Sequence, residues 1–276
     1  MTDMNERIDR DRLSVVTGAL LLALALARLL DVAARPYQVV VFGSPLGFNL
    51  SEATILLLLT GGMAVTGVES LLRAHTLVAQ GYQRRTVVFW IVPALLSVAL
   101  GAGLSRIADV GLWTLGLLAA ALLIPLALVA EFAAVSPDLR RETWLQWAYT
   151  VLIHLVALIL FTVLYDARLR GLLGAPLLFA GSSLLASRLF WALTGRTRQA
   201  AVYGAIVGLP LGQLLLVVNY WPLSGLQGGL VLLLGFYMLV GLLQQHLTGG
   251  QLERRLVLEY ACVSLLALLA ILLAVP

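Results

Sequence analysis

Residues 110–130 read VGLWTLGLLAAALLIPLALVA, twenty-one positions without one ionisable side chain. A helix rises about 1.5 Å per residue, so this stretch spans about 30 Å, the thickness of a bilayer's hydrocarbon core. The run continues to Val135 with Glu131 as its only charge. It is too long and too apolar for an ordinary soluble-core helix, and reads as a membrane span.

The same pattern recurs along the 276 residues. Nine runs qualify: Leu13–Ala34, Ser51–Leu72, Thr86–Leu104, Val110–Val135, Trp144–Tyr165, Leu172–Leu193, Ala200–Tyr220, Gly225–Leu247 and Leu256–Val275. Hydrophobic residues make up 61% of the chain, charged residues 12%, and the mean hydropathy is +0.98. A soluble domain carries about twice that charge, so an ordinary water-soluble enzyme is excluded. The expected fold is all-α: a polytopic transmembrane helical bundle of about nine spans. A charged tail, 1–12, precedes one transmembrane domain, 13–276. Arg28 and Asp31 interrupt the first run before Val32-Ala33-Ala34, which favours a retained span over a cleaved signal.

All 18 basic residues are arginine. Without lysine the chain itself forms no Schiff base and carries no Walker A lysine. One cysteine, Cys262, leaves no intrachain disulfide, redox pair or thiolate zinc site. The sequence designates no cofactor, and its arginines sit in membrane loops rather than on a nucleic-acid surface.

Arginine placement orients the bundle. With the N-terminus inside, twelve arginines fall on the inner side: Arg7, Arg10, Arg12, Arg73, Arg84, Arg85, Arg140, Arg141, Arg196, Arg198, Arg254 and Arg255. Only Arg35, Arg106, Arg168 and Arg170 fall outside, and Arg28 and Arg188 fall within spans. The expected topology is N-in and C-out, in a cytoplasmic membrane of bacterial type. Trp90, Trp144, Trp147 and Trp191 near inner ends, with Trp113, Tyr165, Tyr220 and Trp221 near outer ends, form an interfacial belt.

Charges inside a bilayer cost about 2.5–3.5 kcal/mol each, so they need partners or water. Arg188, Glu131, Glu259 and Glu69 all belong to the inner leaflet, and Glu69 stands four residues before Arg73. They are the candidates for a polar cavity open to the cytoplasm, with a structural ion pair as the alternative. His154 is the one mid-span histidine. No second histidine at matching depth supports a bis-histidine haem, and a hydrogen-bonded structural role competes with proton relay. On the outer side, Arg28 with Asp31, Arg106 with Asp109 and Asp166 with Arg170 read as end anchors.

Gly204, Gly208 and Gly212 form a tandem GxxxG around Pro210. Such a stripe admits a second backbone, either within the bundle or across a homodimer or partner interface. Pro93, Pro125 and Pro210 are expected to kink their spans. The external connection 35–50 pairs Val39-Val40-Val41-Phe42 with a Gly/Pro turn and reads as a short hairpin or re-entrant flap.

Glu69-Ser-Leu-Leu-Arg73 resembles part of the glutamate–arginine motif of CAAX-type membrane proteases, but their second glutamate and in-membrane histidines do not follow. Nine helices with N-in and C-out are similar to UbiA prenyltransferases, yet no span carries their aspartate-rich magnesium motifs. No HExxH or GxSxG occurs. Three functions remain in order: a non-catalytic accessory or scaffold subunit of a membrane complex, a small-solute or lipid-linked transporter, and a lipid-active membrane enzyme.

Overall fold

The computed structural model describes residues 9–29, 35–41, 44–50, 52–81, 86–136, 142–169 and 171–249, with 262, 264–265 and 268–269. The elements are α1 (Arg10–Leu29), β1 (Arg35–Val41), β2 (Ser44–Leu50), α2 (Glu52–Arg73) and the short α3 (Thr76–Ala79). A 3-10 turn (Val87–Trp90) leads into α4 (Ile91–Leu104), followed by α5 (Val110–Ala133) and α6 (Thr143–Asp166). Then come α7 (Gly171–Thr194), α8 (Thr197–Val218) and α9 (Gly225–Leu247).

Six of these segments are long and apolar enough to cross a membrane: 87–104 and the helices α5 to α9. The protein is therefore a multi-pass membrane protein. Helices α1 and α2, of 20 and 22 residues, take in residues 13–29 of the first apolar run and 52–72 of the second. The ninth run, Leu256–Val275, falls almost wholly outside the described residues. Connection 35–50 is a two-stranded antiparallel hairpin, with Arg35 opposite Leu50 and Val41 opposite Ser44.

Contacts gather into two units. The first comprises Met1–Thr86 and Pro93–Ser136. Within it α1 packs on α2 and on α5. Leu20, Leu24, Ala64, Val68 and Ile124 are buried there. Asp109 starts α5 by accepting from Leu112 N at 2.7 Å, satisfying an amide that has no partner inside the helix. Leu112, Leu115, Leu118, Leu122 and Leu126 line one face of α5 and are exposed. Five bare leucines in water would each forfeit about 1.5–3 kcal/mol of burial, whereas lipid tails receive them without that cost.

The second unit comprises Val87–Val92 and Pro137–Pro276. Helices α7 and α8 lie against each other along small residues, and α9 packs on α6. A Cβ built on Gly208 would meet Phe179 O at 2.7 Å, and one on Gly212 would meet Ala175 O at 3.0 Å. Gly204 lies against Ser183 and Ser187. The glycine stripe thus faces α7 of its own chain. A second such seam, Gly225 with Gly229, sets α9 against Asp166 and Thr162, with Gly228 between them on the Tyr165 ring.

Proline behaves unevenly. Pro125 and Pro210 lie inside α5 and α8, as expected, and Pro176 lies inside α7. Pro93 instead occupies the first turn of α4, just after the 3-10 segment. Pro93 thus stands near the junction of the 3-10 turn and the α-helix, where the hydrogen-bond pattern changes.

Candidate functional site

Helix α7 carries Arg188 two turns before its end, and the side chain has no exposed surface. Three aromatic rings surround it. The guanidinium carbon lies 5.0 Å from the centre of the Phe89 ring, 4.7 Å from Tyr149 and 5.2 Å from Trp191. Phe89 comes from the 3-10 segment, Tyr149 from α6, and Trp191 from α7 one turn on. Phe89 and Trp191 themselves meet edge to face at 5.2 Å. The negative ring faces stabilise a permanent cation where water does not reach. An arginine enclosed in this way is a fixed charge, unsuited to donating or accepting protons in turnover.

His154, at the middle of α6, donates from Nδ1 to Thr150 O at 2.8 Å. Its Nε2 is buried without a hydrogen-bond partner. The ring centre lies 5.4 Å from that of Phe236 and 6.0 Å from that of Tyr237, both on α9.

In the first unit, Glu69 and Arg73 pair at 2.9 Å across one turn of α2, as their spacing predicts. Arg73 is largely exposed, so this pair is an interfacial anchor. Glu131 is fully buried in the last turn of α5. His75 caps α3: its Nδ1 accepts from Leu77 N at 3.2 Å, and its Nε2 meets Ser136 Oγ at 3.2 Å. Its ring packs on Phe132 at 4.8 Å. Glu69 and Glu131 thus belong to the first unit, and Arg188 and His154 to the second; Glu259 lies outside the described residues. Among the described residues no three of His, Cys, Asp and Glu converge in a metal-binding group.

On the outer side Arg28 and Arg168 hold backbone carbonyls. Arg28 grips two loop carbonyls, Ile107 O and Ala108 O, and sits over the Trp113 ring. Its expected partner Asp31 lies outside the described residues, as does Arg170. Asp109 serves as a helix cap. Arg168 reaches Asn219 O and Leu223 O. The aromatic belt is also only partial. Trp144, Trp147 and Tyr220 are exposed, but Trp191 and Tyr165 are buried. Tyr165 directs its hydroxyl at Val218 O and Trp221 O, at 3.2 and 3.0 Å.

Sequence reasoning missed the ring enclosure of Arg188. Trp191 could have been found, since three residues on a helix share a face. Phe89 and Tyr149 carry no local signal, because only tertiary packing brings them to Arg188.

No curated protein and no solved structure matches the chain. One family does, along residues 32–274. The chain therefore belongs to the family described as Protein of unknown function (DUF5656).

Proposed function

We propose that this chain is a nine-span protein, N-in and C-out, that serves as a non-catalytic accessory or scaffold subunit of a membrane complex. The enclosure of Arg188 by Phe89, Tyr149 and Trp191 carries the reading. A charge that costs this much to bury is spent on packing rather than offered to a substrate. Four other polar residues also serve structure: His75 caps a helix, Glu69 pairs with Arg73, and Arg28 and Arg168 hold loops. Native mass spectrometry after gentle extraction tests it. The expected result is a partner protein at fixed stoichiometry whose removal lowers thermal stability. A lone monomer of undiminished stability overturns it. For topology, a C-terminal reporter active only outside is expected to be active.

A second reading, a small-solute or lipid-linked transporter, is favoured by one observation. His154 holds a buried, unpartnered Nε2 midway along a spanning helix, where an unpaired polar atom costs about 1–3 kcal/mol. Proteoliposome uptake that is unaffected by His154→Gln, Arg188→Ala and Glu131→Gln removes this reading.

A further inference from the structure

We infer that the two units are tandem versions of one four-helix design, each fastened by an arginine latch on the turn between its third and fourth long helices. In the first unit the long helices are α1, α2, α4 (from Pro93) and α5; in the second they are α6, α7, α8 and α9. In each, the first helix packs on the fourth. In each, glycine lies between the second and third, against side chains in the first unit (Gly61 against Val98, Gly101 against Leu57 and also Leu24 of α1) and against the backbone of α7 in the second (Gly204, Gly208 and Gly212).

The latches share a two-pronged grip, with matching Nη2 contacts and Nη1 contacts that differ in position. At the end of the first helix, Arg28 donates from Nη2 to Ala108 O at 2.9 Å and from Nη1 to Ile107 O at 3.1 Å. Arg168, just past the end of α6, donates from Nη2 to Leu223 O at 2.7 Å and from Nη1 to Asn219 O at 3.2 Å. Ala108 and Leu223 each stand immediately before the residue that caps the fourth helix, Asp109 and Ser224. Each guanidinium also sits over a ring, Trp113 at 4.9 Å and Tyr165 at 4.3 Å.

The physical need is common to both units. The chain between two helices has carbonyls with no helical partner, and a forked guanidinium satisfies two of them at once. It thereby sets the point at which the fourth helix begins. The backbone routes differ: Arg28 belongs to the last helical turn, whereas Arg168 lies beyond its helix in the left-handed region. Two different approaches to the same grip indicate that the grip, rather than the local sequence, is what the design requires.

Hydrogen exchange of the full chain in lipid nanodiscs tests the latches. Arg28→Gln is expected to raise amide exchange at 110–113 about tenfold and leave 225–228 unchanged; Arg168→Gln is expected to do the reverse. Unchanged exchange beside the substituted arginine, or an equal rise in both turns, overturns the inference. If a glutamine variant fails to fold, Arg28→Lys and Arg168→Lys, which keep the charge but lose the fork, are expected to show a smaller rise confined to the same turns.

The tandem arrangement rests on the membrane reading, since α5, α6, α7 and α8 separate the two turns. Four crossings return the chain to the same face. In a Cys262→Ser background, Ser105→Cys and Tyr220→Cys are expected to react with an impermeant maleimide from one side only. Labelling from opposite sides refutes the tandem order and the span count together, while the exchange experiment reports on the latches alone.

Discussion

The guanidinium carbon of Arg188 lies 4.7 Å from the centre of the Tyr149 ring, on a side chain with no exposed surface. Tyr149 and the two other rings contribute to the solvation of the charge where water does not reach. A desolvated cation–π contact is worth about 2 kcal/mol or more. A double-mutant cycle isolates that value from the cavity left by removing a ring. Phe89→Leu is expected to cost about 1–2 kcal/mol more beside Arg188 than in an Arg188→Met background. Equal costs in the two backgrounds, measured by thermal melts in one detergent, would show that the ring only fills space.

The glycine seam predicts a sharp positional contrast. A Cβ at Gly208 would press on Phe179 O and Ser183 Oγ, so Gly208→Ala should destabilise by about 1–3 kcal/mol. At Gly62 of α2 nothing lies within 4 Å. Gly62→Ala should therefore be neutral or stabilise by up to about 1 kcal/mol, through helix propensity alone. Melting temperatures of the two variants decide the matter, and a reversed order would contradict the seam.

The two described histidines with defined partners should be opposite tautomers when neutral. Thr150 O only accepts, so His154 carries its proton on Nδ1. Leu77 N only donates, so the Nδ1 of His75 is bare and its proton lies on Nε2, toward Ser136. Nitrogen-15 spectra of histidine-labelled protein distinguish the two ring forms. Finding the same tautomer at both sites would refute one of these hydrogen bonds. His75→Ala should in addition cost about 1 kcal/mol, the value of a lost cap.

The Glu69–Arg73 pair should matter little. Arg73 is exposed and the two residues are one turn apart on α2. Arg73→Ala is expected to shift stability by less than about 1 kcal/mol, and high salt should erase most of that. A larger loss would mean that Arg73 has a role beyond this pair.

Helix positions were legible because lipid imposes one simple rule on every residue facing it. The runs Val110–Val135 and Gly225–Leu247 became helices Val110–Ala133 and Gly225–Leu247, with boundaries drawn by Asp109 and Ser224. The hairpin at 35–50 was legible from its β-branched residues, but its turn was misplaced, since Pro45 and Gly47 pair within β2 opposite Val40 and Gln38. The candidate site was less so. Charge spacing along one helix located the Glu69–Arg73 pair but carried no signal that Arg28 and Arg168 would hold backbone carbonyls of distant turns. Nor could composition separate a tryptophan at the interface, such as Trp147, from Trp191, which turns inward to cover an arginine. Gly225 and Gly229 offered the same four-residue spacing as the stripe on α8, and their position at the start of a helix obscured it.

Arg168 holds a backbone conformation, φ 44°, that costs a residue with a Cβ about 1–2 kcal/mol relative to glycine. Its head group meanwhile supplies two hydrogen bonds to the turn ahead of α9. Substitution by glycine would relax the main chain and release the loop in the same stroke, so the two effects would partly cancel in a melting temperature. Position 168 is thus a place where a stability screen alone would undervalue the native residue. Its cost would emerge instead in the order of the Asn219–Leu223 segment, which a global melt does not resolve.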